Sequence, residues 1–145
     1  MGLRPILLLA LPALFFGTGC KKEQTVQVPL VNVDISININ LPAYNALAVP
    51  GGWVYLTGGS QGIIVYRNTA DISSNTFTAL DRHCTFQPEN LCRVTVDGTG
   101  LIARDTTCCH SAFQMIDGSV VTGPAVFGLK RYNTTFNGTV LRIFN

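Results

Sequence analysis

From Val31 onward the sequence is that of an all-β protein, an antiparallel β-sandwich or small barrel. Apolar and polar residues alternate with period two in short runs. Pairs of Gly, Asn and Asp that tolerate positive φ divide those runs at close intervals. After Cys20, no stretch of ten or more residues carries a helical period free of Gly and Pro. Strands this short and this closely punctuated close as a sandwich or a barrel.

The elements follow in order. "VNVDISIN" places Val31, Val33, Ile35 and Ile37 on one face of a strand. "GGWVYLTGGSQGIIVYRN" holds two runs, Trp53–Leu56 and Ile63–Tyr66, broken by a Gly-rich turn, which predicts a hairpin. Trp53, Tyr55 and Tyr66 fall on these runs as core or interface packing. "FTALDRH" is a further short run, and "CRVTVDGTGLIARD" reads as two short strands around Asp97-Gly98-Thr99-Gly100. "FQMIDGSVVTG" turns at Asp117-Gly118. "RYNTTFNGTVLRIF" carries Asn137-Gly138 between alternating segments, a strong short-range hairpin signal.

The N-terminus is of another kind. "MGLRPILLLALPALFFGTGCKKEQ" has an early Arg4, an apolar run from Ile6 to Phe16, small residues at 17–19 and then Cys20. That run is short for a bilayer span and has the anatomy of a secretory signal. A cysteine directly after the small residues resembles a bacterial lipobox, although Gly17 stands where a branched apolar residue is usual. The expected organisation is therefore a lipoprotein signal peptide over 1–19, a lipid-anchored tether over 20–30 and a β-domain over 31–145. Cys20 is the lipid anchor. The partner this implies is a membrane, reached through the lipidated N-terminus, with the domain exported and held at the bacterial cell envelope. Charged residues are 12 % of the chain, the net charge is +2 and the basic residues are scattered, which argues against nucleic acid.

Export places the chain in an oxidising compartment, where four remaining cysteines, Cys84, Cys92, Cys108 and Cys109, read first as disulfides. A bond between the adjacent Cys108 and Cys109 would strain the intervening peptide. The two pairings that join separate loops stay open. Each such bridge contributes about 3 kcal/mol. A four-thiolate metal site competes, but zinc motifs space paired ligands two to four residues apart. Here seven residues intervene in one pair and none in the other. Thiol–disulfide exchange by Cys108–Cys109 lacks the Cys-x-x-Cys helix start that lowers a thiol pKa. His110 reads as a solvent-facing loop residue. Asp81, Asp97, Asp105 and Asp117 sit at turns or strand ends, where Asp bonds local backbone. No Gly-x-Ser-x-Gly elbow, phosphate-cradling loop or paired carboxylates are present, so the chain is not read as an enzyme. "NTT" and "NGT" match a glycosylation acceptor but lie on a hairpin and mean little in the bacterial setting that the lipobox-like cysteine implies.

"FQMIDGSVVTGPAVFGLKRY" carries a more specific pattern: Phe113, Gly118, Val120, Gly123-Pro124-Ala125, Leu129 and Tyr132 at fixed spacing. It resembles the second cluster loop of Rieske-type iron–sulfur domains and the strand after it. "ALDRHCTF" resembles the first cluster box, Cys-Thr-His. The resemblance covers residues 77–145 and implies a Rieske-like β-domain with two apposed loops at one end. A Rieske cluster needs two thiolates on one iron and two imidazoles on the other. Cys84 matches a thiolate ligand, but Phe86 stands at the histidine position. In the second loop Thr106 stands at the cysteine ligand and Cys109 at the histidine ligand, with His110 one place out of register. Shifting the register by one residue puts Thr107 at the cysteine position and still leaves Phe86. The resemblance also implies a Cys92–Cys108 disulfide between the loops, with Cys84 and Cys109 facing each other and able to close a second bridge. The expectation is a degenerate Rieske-like lipoprotein without metal or cofactor, a disulfide-stapled accessory module for an envelope protein partner. The alternative is an electron-transfer protein with an atypical [2Fe-2S] cluster on Cys84 and Cys109.

Overall fold

The computed structural model describes Gly2 and residues 28–69 and 76–145. Apart from Gly2, the expected signal peptide, Cys20 and the expected tether up to residue 27 lie outside the described residues. Ten strands are present among those described: β1 (Asp34–Asn38), β2 (Trp53–Leu56), β3 (Ile63–Arg67), β4 (Phe77–Asp81), β5 (Thr95–Val96), β6 (Ile102–Arg104), β7 (Ala112–Gln114), β8 (Val120–Thr122), β9 (Arg131–Phe136) and β10 (Val140–Phe144). Every hairpin turn expected from Gly, Asn and Asp joins antiparallel neighbours. The first strand starts later than its alternation suggests. Val31 is exposed, while Val33 and Ile37 are buried and Ile35 packs against them.

Two short 3-10 elements, Pro42–Ala48 and Pro88–Asn90, escaped the pattern reading. In the first, Pro42 supplies a preset φ at its start and Leu47 is fully buried. Seven residues, and still more three, are too few to show a period.

The strands form two sheets, a large one in the order β1-β10-β9-β4-β3-β2 and a small one in the order β5-β6-β7-β8. The large sheet curls as a half-barrel, so that β1 and β2, its opposite edges, give side chains to one core with Ile63, Val65, Phe77, Ala79, Leu141 and Ile143. The small sheet lies on the outer face of β3 and β4, where Ile64, Tyr66 and Leu80 join Val94, Ala103, Phe113 and Met115 in a second core. Because β3 and β4 are covered on both faces, all five residues of β4 are buried and β3 reads as a continuous apolar run rather than an alternating one.

The small sheet is an excursion from the large one. The chain leaves at the end of β4 and returns at β9, which pairs directly with β4 through Ala79↔Tyr132 and Leu80↔Arg131. Three connections of this excursion meet at one end of the domain: residues 82–94, residues 105–111 and residues 123–130.

Candidate functional site

The first connection is closed at its base by backbone. His83 bridges Arg93, the Cys84 amide donates to Cys92 O at 2.9 Å, and the Val94 amide donates to Arg82 O at 2.7 Å. Within it Gln87 and Leu91 adopt left-handed backbone at φ 46° and 54°, around a 3-10 turn at Pro88–Asn90. The second connection is closed by the Asp105 amide donating to Ser111 O at 2.9 Å, and it contains His110 at φ 59°. Left-handed backbone disfavours residues with a Cβ. These three are the non-glycine residues with positive φ among those described, and all lie in the cysteine loops.

A disulfide joins the two connections, Cys92 to Cys108, with Cα atoms 6.3 Å apart. The pairing implied by the family resemblance is the one found. Cys84 and Cys109 also meet, but they are not bonded: both are free thiols, their sulfurs 3.4 Å apart against about 2.05 Å for a disulfide. Thus the expected second bridge is not formed in this structure. The Cys109 sulfur is held short of it, 3.2 Å from Asp105 Oδ2 and 3.0 Å from Ser111 Oγ.

Asp105 organises the second connection. Its Oδ1 accepts from the amides of Thr107 at 3.0 Å and Cys108 at 2.9 Å, and its Oδ2 from the Cys109 amide at 3.3 Å. Burial alone would raise this carboxyl, but the amides of Cys108 and Thr107 and the two thiols outweigh it and hold it below the usual carboxylate range. The Cys84 thiol moves the other way. Burial is the main cause, the nearby Cys109 and Asp105 add to it, and its pKa is pushed up to about 12. In the reduced state Cys84 is therefore a neutral thiol at physiological pH and a weak nucleophile.

The donors around the sulfur pair are Cys84, Asp105 and Cys109, their ligand atoms within 4.8 Å of one another. Phe86 packs into the same apolar cluster as Cys84 and Cys109. Thr106 and His110 are exposed. His83 is fully buried but committed elsewhere, with Nδ1 2.7 Å from Ser60 Oγ and Nε2 2.8 Å from Pro88 O. No histidine joins the sulfurs among the described residues. With two thiols and a carboxylate but no imidazole, this donor set does not supply the two histidines that a two-cysteine, two-histidine cluster needs.

Sequence reading missed a second constellation. Asp81, expected to bond local backbone, does reach the His83 amide at 2.9 Å. It also accepts from the amides of Ser60 at 2.7 Å and Gln61 at 3.2 Å and from Tyr132 Oη at 2.6 Å. Burial first, and then the bond to Asp81, raise the Tyr132 phenol. This hub ties the β2–β3 turn to the first cysteine loop and to β9.

Two stacked antiparallel sheets, with paired loops at the end of the smaller one, make this a Rieske-like domain. Among solved structures, the chain is similar to the plasma membrane Rieske protein PetC3 of the cyanobacterium Synechocystis PCC 6803. The match has 19 % identity and a TM-score of 0.58, and covers 77 % of this chain and 99 % of that one. The ferredoxin of carbazole 1,9a-dioxygenase from Nocardioides aromaticivorans IC177 also matches, at 14 % identity and a TM-score of 0.49 over 79 % of this chain and 98 % of that one. No family model and no curated protein matches the chain.

Proposed function

We propose that this is a lipid-anchored envelope protein whose Rieske-like domain has lost its iron–sulfur cluster and serves as a disulfide-stapled accessory binding module. The observation that carries the reading is the content of the ligand positions. Phe86 offers no donor, Thr106 faces solvent, and the remaining sulfurs of Cys84 and Cys109 touch each other. The Cys92–Cys108 bridge ties together the two loops that a cluster would join, so they stay apposed without one. Exposed Leu91, Val126 and Phe127 lie on the first and third connections of this end, which Thr85 links by donating to Phe127 O. They supply an apolar surface for an envelope protein partner. Anchoring is read from the lipobox-like Cys20; no helix among the described residues is long and apolar enough to cross a membrane.

Iron analysis of the freshly isolated full chain tests the reading. Colourless protein without stoichiometric iron supports it. Two irons per chain with visible charge-transfer bands overturn it and establish the alternative, an atypical cluster on Cys84 and Cys109 beside Asp105, the donors grouped here. In that event Cys84→Ala bleaches the protein. The intact non-reduced mass completes the picture: closure of Cys84–Cys109 in the oxidising compartment gives the mass of two disulfides rather than one. Cys20→Ser should release the protein from the membrane fraction.

A further inference from the structure

A pocket of about 480 Å³ opens beside the first cysteine loop, between the β2–β3 turn and the side chains of Tyr55, Arg82 and Arg93. The turn, "TGGSQG" over residues 57–62, presses on the Asp81 hub. A Cβ on Gly59, which has φ 62°, would meet Asp81 Oδ2 and Tyr132 Oη at 2.6 Å each, so only glycine fits there. Asp81 takes the Ser60 and Gln61 amides from below, and its charge is spent inward on four donors. No carboxylate lines the pocket.

Two guanidinium groups face this space. Arg82 is fixed from two sides: its Nε donates to Val94 O at 3.0 Å, and the guanidinium lies 3.8 Å from the centre of the Tyr55 ring. Its terminal nitrogens have no acceptor among the described residues. Arg93 is exposed and donates one bond, to Gln61 Oε1 at 3.3 Å. The ion pairs among the described residues are Arg104–Asp97 and Arg142–Asp34, so neither pocket arginine has a carboxylate partner. Burial lowers the Arg82 pKa, Tyr55 acts in the opposite sense, and repulsion from Arg93 adds to the lowering. The His83–Arg93 bridge and the Cys92–Cys108 disulfide hold the segment carrying Arg93 in place. Like charges held together in a concave site, with planar donors free, are complementary to a tetrahedral oxyanion.

We propose that this pocket binds a small phosphate or sulfate monoester, its oxyanion between Arg82 and Arg93 and its organic part over the glycine turn. The volume exceeds that of a bare ion and falls within the range of small-molecule sites. The assignment is independent of whether the cysteine end carries iron.

The test is a titration of the full chain with inorganic phosphate, inorganic sulfate and glucose 6-phosphate, following the amide resonances of residues 58–62 and the Arg82 Nε–H by NMR. Saturable shifts confined to this turn and Arg82 are expected, with the ester binding more tightly than the free ions. Arg93→Gln changes an exposed side chain and should weaken binding by roughly tenfold. Arg82→Lys, which keeps the charge but loses the planar fork, should also weaken it. Vesicles of phosphatidylcholine with phosphatidic acid, whose headgroup is a phosphate monoester, distinguish the source: Arg93-dependent binding displaced by glucose 6-phosphate places the phosphate on a lipid headgroup, and ester binding without vesicle binding places it on a soluble molecule. Absence of saturable shifts with all three ligands overturns the proposal, as do shifts that Arg93→Gln leaves unchanged while the variant melts as the parent does.

Discussion

The large sheet and the cysteine end of this domain are built by different means. In the large sheet, positive φ occurs at glycines such as Gly58, Gly59, Gly62 and Gly138, and the core is apolar side chains from six strands. In the cysteine end, Gln87, Leu91 and His110 hold backbone that residues with a Cβ disfavour. A disulfide and one carboxylate keep them there. The first region is stabilised by packing that any probe of burial detects. The second is over-determined by a few specific bonds and stores local strain, as sites released from or committed to a function do.

That contrast can be broken at its strongest point first. Phe77 is buried in the large core, edge-on to Phe136 with ring centres 4.9 Å apart. Phe77→Ala should cost about 3–5 kcal/mol in denaturant titrations, equally with and without reductant. Next, Cys108→Ala should cost about 3 kcal/mol. Its loss should be concentrated locally: hydrogen exchange at residues 105–111 accelerates while β3 and β4 stay protected. Equal acceleration throughout would show that the two regions unfold as one.

A third, smaller effect is set by pH. The reduced Cys84 thiol has its pKa raised from 9.0 to about 12 by folding. A group raised in the folded state stabilises it fully below the unfolded pKa and loses that contribution as pH rises through the folded one. Reduced protein should therefore weaken between about pH 9 and 12, while protein with Cys84 and Cys109 bonded should not, as alkaline melting curves in the two redox states would reveal. The smallest effect belongs to the surface. Arg142 makes two bonds of 2.8 Å to the Asp34 carboxylate across β1 and β10, both side chains about half exposed. Arg142→Ala should move the melting temperature little, and less still at high salt.

The strands were legible because their information is local. Asn137-Gly138 and Asp117-Gly118 mark turns wherever they occur, and period-two alternation names the buried face of β1 and β10. The loop pairing through Cys92 and Cys108 was legible only through the family resemblance, since spacing alone left two pairings open. What stayed hidden is long-range. Asp81 and Tyr132 stand 51 positions apart, and Ser60 reaches His83 across 23. Arg82 and Arg93 looked like scattered charges until the loop base brought them together. Gly-Gly-Ser-Gln-Gly could have flagged the turn as a close-approach site, but nothing in its own composition names the arginines opposite it. Cys84 and Cys109 were expected to bond and instead share their surroundings with Asp105 and Ser111. Such competition among polar neighbours has no sequence pattern.

The direct pairing of β4 with β9 has a consequence for how such a chain can change over generations. Because the polypeptide departs after Asp81 and comes back at Lys130, whose carbonyl accepts the Asp81 amide at 2.8 Å, both ends of the excursion are anchored at one spot. Residues 82–130 form a cassette with adjoining ends. Its contents can be rewritten by mutation while the hydrogen-bonded ladder between β4 and β9 keeps its alignment.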